Sequence, residues 1–504
     1  MNETTLSTRN TAILALYCLI CLLLGYVYVG SIRAGVRPTL VIHGLALLFL
    51  VAALSLGDLR SRLTFAMILV IPLAIDYHFV RYALEHGTPV FQDAIVISLV
   101  DCLLAVLLLY WLASASIEGT HGSLTVGHPI GTLLLVWIAY SLVAGSLKAA
   151  RPVYAYFEVI ALLQGFLLYF YLANNVNSRR DIRVIIYALF VAQSVESLYL
   201  LFQYITGLNY TTKGVFIEPV RDVVGFRSAG FTGGEVGSTQ MISFVASLVL
   251  AYYFGLADRF RRFLAAAMLL IFMIGILCAQ TRAAFAAVLV GSVVILALGT
   301  WRGWIAPRRL LKFVSIGLLF LLLVSPVVYQ RFQKGEGSWG EVRLPLMRTA
   351  TDMWMDNLWF GVGASNYNFN MERYLPVRLR HTWKWAVHQE FLLHLAERGI
   401  IGALLYYLIW LIVCAKLWRL SSSSDRWISV ISVGILAGMI GSLPMRLVHP
   451  YHSMLTYSFS CVMLALTVAM ERMERKRTES VTAASSEFGG VPALDRFPSR
   501  LPRL

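Results

Sequence analysis

Within AVHQEFLLHLAERGIIG, residues 386–402, stand two histidines, two glutamates and an arginine, just ahead of a long apolar run. Histidine is the side chain whose ordinary pKa lets it take a proton from a hydroxyl near neutral pH. Read as one helix, His388, Phe391, Leu392, Leu395 and Gly399 share a face, while Glu390, His394, Glu397 and Ile401 share another. His388 and His394 then point apart, which is not the geometry of a His-x-x-x-His zinc pair, and no second ligand cluster accompanies them. No metal site is expected here. Glu390 and His394, at i and i+4, are expected to pair on a solvated or interfacial face. His388 continues the apolar stripe and is the candidate general base; the competing reading is a buried histidine that holds a loop.

Arginines form the second set of candidates. Arg227 lies in the glycine-rich stretch GVFIEPVRDVVGFRSAGFTGGEVGST, Arg282 in CAQTRAAFAAVLVG, and Arg343 at the start of RLPLMRTATDMWMDNLWFGVG. A guanidinium at a membrane boundary often does no more than reach the polar interface. Arg282 is different, since only a tight turn separates the apolar runs on either side of it, and an ionisable residue so placed is a site candidate. Grouped guanidiniums suit an anion with several phosphate oxygens, which they bind two bonds at a time. After Arg343, the residues Leu346, Met347, Ala350, Met353, Trp354 and Leu358 recur at spacings of three and four, which predicts an amphipathic helix ended by Gly361 and Gly363. Asp352 and Asp356 read as its solvated face rather than as an Asp-x-Asp pair for a metal–nucleotide-sugar. There is no GxxxxGK[ST] loop, and GVGASN at 361–366 lacks the preceding strand and third glycine of a dinucleotide loop.

The elements that must position these residues are membrane helices. Of 504 residues 58% are hydrophobic and only 14% charged, against about 25% charged in a soluble protein, and the mean hydropathy is +0.71. Apolar runs of spanning length recur throughout and must close their own backbone hydrogen bonds, so the fold expected is an all-α polytopic membrane protein of about 12–14 helices. The spans expected are 11–30, 39–56, 63–79, 94–112, 130–148, 153–172, 184–205, 238–256, 263–279, 283–299, 313–329, 400–417, 428–443 and 455–470. The first lacks a basic n-region and a small-residue cleavage site and reads as a retained helix. Alternate loops carry the arginine and lysine clusters at 60–62, 179–183, 259–262, 302–312 and 416–426, so that side and both termini are expected to be cytoplasmic. Residues 1–477 then form one polytopic domain with a long external loop at about 330–398, whose many aromatics favour packing over disorder. The Ser-, Pro-, Gly- and Ala-rich tail 478–504 is expected to be disordered. Cys18, Cys21, Cys102, Cys278, Cys414 and Cys461 all fall in apolar runs and imply neither a disulfide framework nor a metal. The basic residues flank membrane rather than forming a solvated stripe, which excludes nucleic-acid binding.

Four motifs in order, TRAAF in the tenth expected helix, Arg343-Leu-Pro-Leu-Met347, NLWFGVGASNY at 357–367 and VHQEFLLHLAERGIIG, resemble the O-antigen ligase and O-antigen or exopolysaccharide polymerase superfamily of bacterial inner membranes. Such proteins carry a Ser/Thr-Arg-Gly/Ala motif, a long periplasmic loop with an Arg before a Leu-Trp helix, a Pro-Leu-x-Gly-Val-Gly motif, and His-Asn opening a Gly-x-x-Gly helix. The resemblance covers residues from about Arg227 to Gly402; Gln389 stands where Asn is usual, Met347 where Trp is usual, and Asn357-Leu358 in place of the Pro. It implies that the essential histidine falls on His388 and the substrate-diphosphate arginines on Arg282, Arg343 and Arg227. It further implies a cofactor-free, metal-independent glycosyl transfer on the periplasmic face, in lipopolysaccharide or exopolysaccharide synthesis. The donor would be an undecaprenyl-diphosphate-linked glycan. The acceptor would be a sugar hydroxyl of lipid A–core for a ligase, or of a second lipid-linked repeat unit for a polymerase. The alternative is a transporter or flippase of the lipid-linked glycan, against which stand the gathering of the candidates at one face and the lack of an internal repeat.

Overall fold

The computed structural model of the protein describes residues 58–81, 92–118, 124–211, 221–222, 225–333, 342–380, 385–449 and 454–487. Their helices are α1 (Leu59–Leu69), α2 (Leu99–Glu118), α3 (Ile130–Lys148), α4 (Pro152–Asn175), α5 (Arg179–Thr206), α6 (Glu235–Gly255), α7 (Arg259–Ala279), α8 (Arg282–Trp301), α9 (Pro307–Gln333), α10 (Leu344–Asp356), α11 (Tyr367–Tyr374), α12 (Glu390–Leu420), α13 (Arg426–Gly441), α14 (Leu443–Val448) and α15 (Met454–Glu487). Two antiparallel hairpins interrupt them, β1 (Asp76–Arg81) with β2 (Ala94–Ser98) and β3 (Arg221–Asp222) with β4 (Gly225–Phe226). Among the described residues, eight segments are long and apolar enough to cross a membrane: α3 to α8, α12 and Arg426–Val448. The protein is an all-α polytopic membrane protein, as its composition requires.

Polar caps sit where the chain re-enters the bundle from its Lys- and Arg-rich loops. Ser178 and Asp181 form a reciprocal capping box at the start of α5. Asp258 and Asp425 accept from the amides of Arg261 and Trp427 at the starts of α7 and α13. Inside the bundle, α6 packs against α7, α8 and α13. Small residues allow the close approach: Gly434 and Gly438 of α13 face Leu248 and Phe244 of α6, and Gly291 of α8 faces Ser247.

Three expectations need correction. The apolar run at 63–79 is not one helix: α1 stops at Leu69, Pro72 lies in a 3-10 turn, Ala74 takes φ 50°, and the chain enters β1. Proline removes an amide donor and ends the ladder there. β1 pairs with β2, which occupies the first part of the span expected at 94–112 and leaves the helix to start at Leu99. At the other end, α15 runs on to Glu487, so residues 478–487 are helical rather than disordered. Charge pairing at helical spacing (Arg475–Glu479, 3.5 Å) supports this extension. The expected spans 11–30 and 39–56, Cys18, Cys21 and the tail 488–504 lie outside the described residues. From 130–148 onward each expected span lies within a helix to within a residue, except that 428–443 is divided at Ser442 between α13 and α14.

The described part of the long segment between α9 and α12 is folded. α10 buries Leu346, Ala350 and Met353 of the periodic face read from the sequence, with Thr349 beside them, half-buries Met347 and Trp354, and leaves Asp352, Asp356 and, past its end, Leu358 exposed. Against it pack Val362, Tyr367, Met371, Leu375, Val387 and Leu393, a second hydrophobic core apart from that of the bundle.

Candidate active site

The opening stretch builds the site through one break in α12. Gly399 has φ 63° and ψ −172°, a combination open in practice only to glycine. A Cβ there would lie 2.3 Å from the carbonyl carbon of Trp359. The segment after α10 threads past this break: Ile400 N donates to Leu358 O (2.9 Å), Val362 N to Ala396 O (2.9 Å) and Gly363 N to Glu397 O (2.9 Å). Gly361 (φ 65°) is equally constrained, for its Cβ would lie 2.3 Å from the Glu397 carbonyl carbon. The Gly-Val-Gly motif and Gly399 are two halves of one clip. The Tyr140 hydroxyl of α3 lies 2.8 Å from the Trp359 carbonyl and 2.7 Å from the Arg398 carbonyl and closes it.

Under the clip runs a buried polar line. Arg398 is fully buried and pairs with Glu158 of α4; its Nη1 also donates to Glu397 Oε2 (3.2 Å) and to His394 Nδ1 (3.2 Å). A guanidinium only donates, so His394 Nδ1 accepts, and in the neutral ring the hydrogen sits on Nε2. That atom lies 3.6 Å from Glu390 Oε1. Glu390 accepts from Arg446 Nη1 at 2.8 and 2.9 Å and from the Tyr406 hydroxyl at 2.6 Å. Ser365 Oγ donates to Glu158 Oε2 (2.7 Å) and ties the loop of the clip to the same line. The solvated face expected for Glu390 and His394 is therefore corrected: both are 0% exposed, with Trp137 of α3 and Tyr406 against the His394 ring and Arg446 of α14 and Tyr406 on the Glu390 carboxylate. Charges so buried persist only with partners in place.

His388 stands beside this line, though not on the apolar stripe of a helix. Gln389 is extended (φ −150°) and α12 begins at Glu390, so His388 lies in the segment that leads in. Its Nδ1 is 3.0 Å from the Ala386 carbonyl oxygen. A carbonyl only accepts, so Nδ1 carries the hydrogen and Nε2 holds the lone pair of the neutral ring. Burial lowers the pKa of His388 below the ordinary 6.5; the bond to Ala386 opposes this and the charge of Arg343 adds to it.

The sequence-selected arginines are linked to it through Arg343. Burial and the neighbouring charge of Arg282 lower the pKa of Arg343. Arg227 donates through Nε to Ala279 O (3.4 Å), three residues ahead of Arg282. The loop carrying Arg227 is pinned by Ser228 N to Cys278 O (3.2 Å), Ala229 N to Asn209 Oδ1 (3.0 Å) and Phe231 N to the buried Glu196 Oε1 (3.2 Å). Arg227, Arg282, Arg343 and His388 thus come together from three separate connections.

A further histidine joins them. The ring of His449, just after α14, lies 5.7 Å from that of His388 with 32° between their planes. Burial, with the charges of His388, Arg343 and Arg227, pushes its pKa down to about 3. Both histidines line a cavity of about 540 Å³ against the start of α6. Neither His449 nor Glu158 was selected from the sequence. Each left a signal: Arg446 and His449 crowd the end of an apolar run in LPMRLVHP, and Glu158 is a lone carboxylate inside PVYAYFEVIALLQGFLLYFY. Among the described residues, no group of three or more His, Cys, Asp or Glu side chains is placed to hold a metal ion.

Residues 266–407 match the family model Wzy_C, described as O-antigen ligase. This stretch runs from α7 into α12 and includes Arg282, Arg343 and His388, while Arg227 and His449 lie outside it. The match agrees with the resemblance read from the sequence. No curated protein matches the chain.

Proposed function

With an O-antigen ligase domain across residues 266–407 as the premise, we propose that this membrane enzyme transfers a glycan from an undecaprenyl-diphosphate carrier to a sugar hydroxyl on the periplasmic face. It would act either as a ligase on lipid A–core or as a polymerase on a second lipid-linked repeat unit. The observation that carries the reading is a linked set of guanidiniums beside an imidazole fixed in one tautomer: Arg343 acts on His388, Arg282 acts on Arg343, and Arg227 is tied to the turn before Arg282.

The chemistry follows from that arrangement. The acceptor oxygen attacks the anomeric carbon from the side opposite the diphosphate. His388 Nε2 takes its proton as the new C–O bond forms. The bond from the anomeric carbon to the phosphate oxygen breaks, and its electron pair goes to the diphosphate. The arginines hold the charge that develops there. The anomeric configuration is inverted. On this account His388→Ala lowers kcat by about 10²–10⁴-fold, and Arg282→Ala by about 10²–10³-fold, with both variants folded. Single-turnover rates of the purified variants in liposomes test this. Wild-type rates for His388→Ala would remove the base from the mechanism, and wild-type rates for Arg282→Ala would remove that arginine from it.

A further inference from the structure

The cavity beside the two histidines differs in character from the arginine cluster. Its walls come from the turn ahead of α6, the first turns of α6, the segment before α12, His449 after α14 and the first turn of α15. Among the described residues that line it, none is Asp, Glu, Lys or Arg. Its hydrogen-bonding groups are neutral: Gln240, Thr232, Thr456, His388 and His449, with Trp385 contributing an aromatic surface. Gln240 is only 3% exposed, and its Nε2 has no hydrogen-bond partner among the described residues. Amides, hydroxyls and an aromatic face are the groups that recognise a sugar ring, whereas a diphosphate would seek the guanidiniums. A volume of about 540 Å³ lies within the range of sites that enclose a small ligand.

We infer that this cavity is the acceptor-sugar pocket, with Gln240 and His449 hydrogen-bonding the acceptor's hydroxyls and Trp385 covering a ring face. The inference rests on the glycosyl-transfer reading above. His388 borders both regions: it lines the cavity and also feels the charge of Arg343. An inverting attack needs the acceptor on one side of the anomeric carbon and the diphosphate on the other, and the two regions supply those sides. His449 is held neutral by its burial among Arg227, Arg343 and His388, so it serves as a hydrogen-bonding group rather than a second base. Its position is set by the ion pair between Glu390, two residues after His388, and Arg446, three residues before His449.

The test is a titration of acceptor at fixed undecaprenyl-diphosphate glycan, in liposomes, with lipid A–core or with a second lipid-linked repeat unit, whichever the wild type uses. Gln240→Ala and His449→Ala are expected to raise the acceptor KM about tenfold or more, while donor KM and kcat at saturating acceptor change little. Gly234→Trp gives an independent check, because an added Cβ at Gly234 meets nothing within 4 Å and the ring has open space to fill. It is expected to raise the acceptor KM without loss of fold. If the wild type transfers and His388→Ala does not, yet these three variants keep the wild-type acceptor KM, the pocket is wrong and the transfer reading stands. A rise in donor KM alone would also overturn it, since the cavity would then hold the donor sugar. No transfer by folded wild-type protein with either acceptor would overturn the transfer reading and the pocket with it.

Discussion

His388 owes its chemical state to its surroundings rather than to its neighbours in sequence. The Ala386 carbonyl selects the tautomer, and burial with the charge of Arg343 disfavours the imidazolium. Among the described residues, His449 and the charge of Arg343 face it. The sign for catalysis follows: the neutral ring is the active form, so the rate falls as pH drops through a pKa below the ordinary 6.5. Arg343→Gln removes a positive neighbour, so the pKa rises and the acid limb of kcat/KM moves to higher pH, along with a lower plateau. A pH–rate profile of the two proteins checks this, and an unmoved limb would show that Arg343 does not act on His388. His388 and the three arginines could be picked out as candidates by residue type, but the extended segment that carries His388 could not, since a helical reading put it on an apolar stripe. The partners of Glu390 and His394 were not, because helical spacing shows which residues share a face and not what covers that face.

The clip and the polar line beneath it are the least tolerant elements of the fold. Gly399→Ala places a Cβ against the Trp359 backbone at a φ of 63° and should cost about 2 kcal/mol or more, read as a lower midpoint of thermal unfolding in detergent. Arg398→Leu leaves Glu158 and Glu397 buried without their guanidinium and should cost about 3–5 kcal/mol. If the Arg398→Leu protein unfolds at the wild-type midpoint, the line is not a structural support. The periodicity of α10 and the glycines that follow it could be read directly, since a helix face and a chain turn are local properties. The role of Gly361 and Gly399 could not, because each glycine is demanded by backbone that lies tens of residues away. The β1–β2 hairpin was hidden for a similar reason: its strands extend apolar runs, and hydrophobicity alone does not distinguish a strand from the end of a helix.

Across the whole molecule, the five site residues sit in four connections at one end of the bundle: between α5 and α6, α7 and α8, α9 and α12, and α14 and α15. The alternation of spans and the bias of Lys and Arg toward the opposite loops placed these connections on a common side from sequence alone. Which of them meet depends on the order of helices around the bundle, and that order leaves no trace in spacing; hence His449, from the last connection, went unnoticed. A site gathered at one face, over a bundle without an evident internal repeat, suits an enzyme that works on a lipid-linked substrate presented from that side. The most direct measurement is the product of purified protein in liposomes given an undecaprenyl-diphosphate repeat unit, with and without lipid A–core, beside His388→Ala. The account predicts a new glycosidic product from the wild type, a ladder from donor alone or a conjugate only with lipid A–core, and none from the variant. Donor that crosses the bilayer with its glycan unchanged, or an active His388→Ala protein, would contradict it.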